Sequence, residues 1–141
     1  MEYNFDSQEF KSTDMYEEFI RENSARGILK IEAHSSTNAY PLKNVRIVVS
    51  KMIENDKVIF YDGLTNESGI IENIILPTKV MTDEVNSAAD IIFTMYDVEA
   101  SYPDNDLKKD YNVSIFDNVK VIQPVVFQLD EIISGDLSAR W

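Results

Sequence analysis

Two stretches decide the fold class of this 141-residue chain, PLKNVRIVVS (41–50) and LTNESGIIENIIL (64–76). In the first, Val45, Ile47 and Val49 occupy every second position, which is the period of a strand with one buried face. Its opening proline cannot donate to a β-ladder and therefore marks a loop or a strand edge. In the second, a Thr-Asn-x-x-Gly turn precedes an apolar run, and Gly69 permits the positive φ of a tight turn. Strands that each follow such a turn are typical of all-β domains.

Short segments of alternating apolar and polar residues continue on both sides of these stretches. After Gly27 the segment GILKIEAH (27–34) alternates, and ENDK (54–57) has the composition of a hairpin turn. The segment 91–102 is predicted to be a long strand, and a final pair of strands is expected across Asp117 and Asn118. The apolar strand after Gly69 is expected to end at Pro77. The pattern predicts about seven short strands in an antiparallel β-sandwich.

One short helix is predicted before the first strand, over residues 13–24. Acidic residues open this segment, where the positive end of a helix favours them. Tyr16, Phe19 and Ile20 fall at positions i, i+3 and i+4 and form one apolar stripe. Such a stripe either covers one end of the core or docks a partner, and the sequence leaves both alternatives open.

The chain divides into an N-terminal arm with the short helix (1–26), a β-sandwich domain (27–130) and a C-terminal tail (131–141). Both ends carry large apolar groups without a period that would pack them in a lone domain. Burying such a side chain is worth roughly 1.5–3 kcal/mol, so we expect these groups to find a surface. The predicted partner-binding residues are Tyr3, Phe5, Phe10, Tyr16, Phe19 and Trp141.

Composition argues against several kinds of partner and site. The net charge of −12 disfavours nucleic acid and anionic membranes as partners. The chain has no cysteine and one histidine, His34, which alternation places on the outward face of the first strand. The acidic segment 104–110 offers oxygen ligands of the kind that calcium takes, but it lacks the central glycine and distal glutamate of an EF-hand loop. We therefore expect no metal, no cofactor, no catalytic residues and no enzymatic activity.

The two opening stretches resemble the carboxypeptidase regulatory-like domains, which are transthyretin-like, Ig-like β-sandwiches. Pro41, Leu42 and Asn44 begin the first matching element, and Thr65 with Gly69 frames the second. YDVEASYPD (96–104) and VSIFDNVKVIQPVVFQL (113–129) resemble the later strands of that family, although Pro124 interrupts the last one. Together with the predicted helix, the chain is similar to domains of clostridial and other Firmicutes proteins, some of which accompany spore-cortex-lytic or peptidoglycan-binding modules.

These features predict a non-catalytic structural or interaction module in a larger bacterial assembly. The expected settings are an envelope- or spore-associated protein and a phage-tail-like particle, with a protein partner or a homo-oligomer formed through the terminal arms. The start of the sequence lacks the features of a signal peptide, so we expect a cytoplasmic protein as synthesised. A carbohydrate- or peptidoglycan-binding domain is the alternative, with the aromatic residues Tyr61, Tyr96, Tyr102 and Tyr111 as its glycan platform.

Overall fold

Seven strands follow one short helix in the computed structural model, which describes residues 14–82, 92–103 and 107–128. The elements are α1 Asp14–Glu22, β1 Ala25–Ser35, β2 Arg46–Ile53, β3 Asp56–Leu64, β4 Ile70–Thr78, β5 Thr94–Tyr102, β6 Leu107–Ile115 and β7 Lys120–Phe127. The predicted β-sandwich with a preceding helix is confirmed. The helix is shorter than the predicted span, and β1 begins two residues before Gly27.

The strands form a three-stranded sheet in the order β4-β1-β7 and a four-stranded sheet in the order β3-β2-β5-β6. All strand pairs are antiparallel except β1 and β7, which run parallel. The core lies between the sheets and is built from alternate residues of each strand. Leu29, Ile31 and Ala33 of β1 and Tyr96, Val98 and Ala100 of β5 are buried, as the alternation predicts.

The prediction that the last two strands form a hairpin is wrong. β6 pairs with β5, whereas β7 pairs with β1 in the other sheet. The connection turns at Asn118, which has a φ of 58°. Its N–H donates to the Arg26 carbonyl at 2.8 Å, and the Ile28 N–H donates to the Val119 carbonyl at 3.0 Å. The backbone after β6 is therefore bonded to β1, and the chain crosses from one sheet to the other.

Two prolines lie inside strands, contrary to the expectation that each would interrupt one. β4 continues through Pro77 to Thr78, and β7 continues through Pro124. Both strands are at the edges of the described three-stranded sheet. Proline is tolerated at an edge because its missing N–H need not face a neighbouring strand. The Pro77 carbonyl accepts a hydrogen bond from the buried Tyr96 hydroxyl, which fixes this end of β4 to the opposite sheet.

The Thr65 hydroxyl joins the two loops that lead into β2 and β4. It accepts a hydrogen bond from the Val45 N–H at 2.9 Å and donates one to the Leu42 carbonyl at 2.7 Å. On the backbone, the Thr65 carbonyl accepts from the Asn44 N–H, and its N–H donates to the Val45 carbonyl, both at 3.0 Å. The side chain is 2% exposed, and its hydroxyl is satisfied as both donor and acceptor.

The turn after Thr65 is closed by the side chain of Asn66 and by the backbone of Gly69. The Asn66 Oδ1 accepts hydrogen bonds from the N–H groups of Ser68 and Ile70 at 2.8 and 3.0 Å. Gly69 has a φ of 77°, and a Cβ at this position would clash with the carbonyl oxygen of Ala33. The Gly69 carbonyl accepts from the Ala33 N–H at 2.7 Å, so the turn is bonded directly to β1.

We expect Thr65→Val to destabilise the domain by about 1–3 kcal/mol, because it leaves a buried N–H and a buried carbonyl without their partner. Thr65→Ser keeps the hydroxyl and is the matched control, with a smaller loss. Urea denaturation followed by circular dichroism measures both. A Thr65→Val variant as stable as the parent would show that the hydroxyl does not hold the loops.

The hairpin between β2 and β3 should gain stability from a better turn sequence. Glu54 and Asn55 have φ values of 48° and 78°, as a type I′ turn requires at both central positions. A left-handed conformation costs an ordinary residue roughly 1–2 kcal/mol. The double change Glu54→Asn/Asn55→Gly should therefore raise the melting temperature, and Asn55→Val should lower it. Equal melting temperatures for the two variants would contradict the turn assignment.

Candidate functional site

The predicted partner-binding residues of α1 pack against the sandwich. Phe19 is 8% exposed, and its ring lies 5.8 Å from the ring of Phe60. Tyr16 packs beside the core, and burial raises the pKa of its hydroxyl. Of the two alternatives for this helix, the structure places its stripe over one end of the core. Phe19 is therefore not available at an exposed surface.

A buried polar contact ties the end of α1 to β5. The Asn23 Nδ2 donates to the Phe19 carbonyl at 2.9 Å, and the Thr94 hydroxyl donates to the Asn23 Oδ1 at 2.5 Å. Both Asn23 and Thr94 are almost fully buried. The helix is thus hydrogen-bonded to the sandwich as well as packed on it.

The other four predicted partner-binding residues, Tyr3, Phe5, Phe10 and Trp141, lie outside the described residues. Their role as anchors stays a prediction. So does the division of the chain into an arm, a sandwich and a tail.

An exposed apolar surface lies on the outer face of the three-stranded sheet, and the sequence did not predict it. Ile28 of β1 is opposite Ile75 of β4 in the antiparallel register and opposite Lys120 of β7 in the parallel register. Lys120 and Ile122 are two residues apart on β7 and therefore face the same side. Ile75 and Ile122 are 45% and 53% exposed. We call Ile28, Ile75 and Ile122 the isoleucine face.

The charges around the isoleucine face are balanced. The Lys120 Nζ lies 2.5 Å from a carboxylate oxygen of Glu72, and this hydrogen bond lowers the pKa of the Glu72 carboxyl. The Lys30 Nζ lies 3.1 Å from a carboxylate oxygen of Glu32. Each acidic group has a cationic partner here, although the chain as a whole carries a net charge of −12. Exposed pairs contribute little to stability, so their consequence is mainly local neutrality.

Ion pairs also lie on the outer face of the four-stranded sheet. Arg46 holds Asp62 through two hydrogen bonds of 3.0 and 2.6 Å, and this interaction lowers the pKa of the Asp62 carboxyl. Lys57 pairs with Glu99 at 2.8 Å.

The tyrosines of the alternative glycan platform do not form an exposed aromatic surface. Tyr96 is 1% exposed, and its ring packs edge-on against Phe60 at 5.2 Å. Tyr61, Tyr102 and Tyr111 are partly buried against the core. A glycan platform needs ring faces open to solvent, so the expectation fails for Tyr96 and finds no support in the other three.

The residues considered as metal ligands are dispersed in the described part of the chain. Asp110 lies in β6, which begins at Leu107, where a loop had been expected. His34 lies on the outer face of β1, and its Nδ1 is 2.9 Å from the Ser35 carbonyl oxygen. Among the described residues, no three acidic, histidine or cysteine side chains are grouped as metal ligands would be. Asp104, Asn105 and Asp106 lie outside these residues.

The chain matches no protein-family model and no curated protein. Among solved structures it is similar to the 5-hydroxyisourate hydrolase of Klebsiella pneumoniae, with 15% sequence identity and a TM-score of 0.46. The match covers 72% of this chain and 84% of the hydrolase. The β-sandwich expected from the sequence is the part of the resemblance that the strand order confirms. The described residues contain no helix that is both long and apolar enough to cross a membrane.

The expectation that the chain is not an enzyme requires correction. It was drawn from the lack of cysteine, the single histidine and the composition of the acidic segment, yet the similar structure is named as a hydrolase. At this level of identity the likeness concerns the fold, and it assigns neither an activity nor a substrate to this chain.

We expect Phe19→Ala to lower the free energy of unfolding by about 3–5 kcal/mol, because it removes an aromatic ring from the core. Arg21→Ala changes an exposed residue of the same helix and should stay within about 0.5 kcal/mol of the parent. Thermal and urea denaturation measure both variants. If Phe19→Ala is as stable as Arg21→Ala, then α1 is not part of the folded core.

Proposed function

We propose that this protein is an interaction module that binds another protein through the isoleucine face. The observation that supports the proposal is the grouping of Ile28, Ile75 and Ile122 from neighbouring strands of one sheet face. Single exposed apolar side chains are ordinary on protein surfaces, but grouped ones mark contact sites. The ion pairs Lys30–Glu32 and Lys120–Glu72 balance charge beside the face, which favours the approach of an apolar surface.

The partner is a protein of a larger bacterial assembly or a second copy of this chain. An envelope- or spore-associated protein and a phage-tail-like particle are the settings that we propose. The first rests on the sequence resemblance to Firmicutes domains, and the second rests on the β-sandwich fold. Contact through the terminal arms belongs to the same proposal, because Tyr3, Phe5, Phe10 and Trp141 would add anchors of the type enriched at interfaces.

Site-specific photo-crosslinking in cells that make the protein naturally tests the proposal. A photoreactive phenylalanine analogue at position 75 or 122 should give one discrete adduct, which mass spectrometry identifies as a partner or as a second copy. The same analogue at position 64 is the matched control, because Leu64 is 57% exposed on the other sheet. Ile75→Gln/Ile122→Gln should abolish the adduct formed from a probe at position 28 while leaving the melting temperature unchanged.

Two results would contradict the proposal. One is crosslinking from position 64 that equals crosslinking from positions 75 and 122, since contact would then be non-specific. The other is an absence of adducts at all three positions, together with a monomer in sedimentation equilibrium at concentrations on the order of 100 μM.

A further inference from the structure

A concavity lies on the outer face of the four-stranded sheet, on the opposite side of the sandwich from the isoleucine face. Its volume is about 180 Å³. Arg46, Ser101 and Lys108 form one row across β2, β5 and β6, because Arg46 pairs with Ser101 and Ser101 pairs with Lys108. Val48, Glu99 and Asp110 form the next row in the same register. The small side chains of Val48 and Ser101 leave space between their longer neighbours.

The two rows carry opposite charges. Arg46 and Lys108 are the cations of the first row, and Glu99 and Asp110 are the carboxylates of the second. Arg46 is bound to Asp62 and Glu99 to Lys57. No ion pair joins Lys108 or Asp110 to another residue in the described ranges. The β6 side of the concavity therefore presents an ammonium and a carboxylate to solvent, and Ser101 is the register partner of Lys108 on β5.

The spacing of the two charged rows limits which ligands fit the concavity. Residues two apart on one strand face the same side and are separated by about 7 Å. A ligand that places a carboxylate at the first row and an amine at the second needs a similar separation of its own charges. The volume is below the roughly 300–1,000 Å³ of sites for drug-sized molecules, so the occupant is small.

We propose that this concavity binds a small zwitterion with a carboxylate and an amine a few bonds apart, of the ω-amino acid type. Lys108 and Ser101 receive the carboxylate, and Asp110 with Glu99 receives the amine. The site is exposed, so its electrostatic attraction weakens as salt is added. This inference is independent of protein binding by the isoleucine face.

Titration of the ¹⁵N-labelled chain with γ-aminobutyrate, followed by amide NMR shifts, tests the proposal. Butyrate and butylamine are matched probes with one charge each, and glycine brings the two charges closer together. We expect saturable shifts at residues 99–101 and 108–110 with γ-aminobutyrate and at least tenfold weaker binding of the other three. Lys108→Met and Asp110→Asn should each abolish saturation without changing the melting temperature. Lys43→Met, which removes an exposed lysine near Glu67, should bind as the parent does.

Several outcomes would overturn the proposal. Butyrate binding equal to γ-aminobutyrate binding would identify a plain anion site, and equal butylamine binding a plain cation site. Equal binding of glycine would show that charge separation does not matter. Linear shifts without saturation, or full binding by both Lys108→Met and Asp110→Asn, would show that the concavity is not a site.

Discussion

The buried hydroxyl of Thr65 is the interaction on which the arrangement of the strands depends. It bridges the chain before β2 and the chain before β4, and the following turn is bonded to β1 through Gly69 and Ala33. The Leu42 N–H also donates to the Ala33 carbonyl, so three strands meet at this point. Burial of apolar surface favours compactness without direction. A slip of one residue would turn a whole strand face outward, and directed hydrogen bonds at the strand starts prevent it.

The opposite end of the sandwich combines aromatic packing with hydrogen bonds, among them that from the Tyr96 hydroxyl to the Pro77 carbonyl. Phe19, Phe60 and Tyr96 form a chain of ring contacts that runs from α1 through β3 to β5. Asn23, which follows α1, adds a buried hydrogen bond to Thr94 of β5. This end therefore also covers apolar surface that an open sandwich end would leave in water.

The sequence predicted which side chains face the core more accurately than it predicted which strands lie next to each other. Alternation identifies Leu29, Ile31 and Tyr96 as core residues because the side-chain period of a strand is a local property. It does not say which strands are neighbours, and for this reason the expected hairpin across Asp117 and Asn118 was wrong. The isoleucine face was missed for the same reason, since Ile75 and Ile122 reach it only through the pairing of β4 and β7 with β1. Phe19 shows a related limit of the sequence. An amphipathic helix has the same apolar stripe whether it packs on its own core or binds a partner.

The edge of β7 bears on how a partner could approach the isoleucine face. An open edge strand usually offers N–H and carbonyl groups to another chain. Here Pro124 has no N–H, and its carbonyl accepts a hydrogen bond from the Gln123 side chain at 2.8 Å. The Val126 N–H donates to the Tyr111 hydroxyl at 3.1 Å. Strand addition at this part of β7 would have to break these bonds. A partner therefore gains more from packing on the outward side chains, among them Ile122, than from extending the sheet.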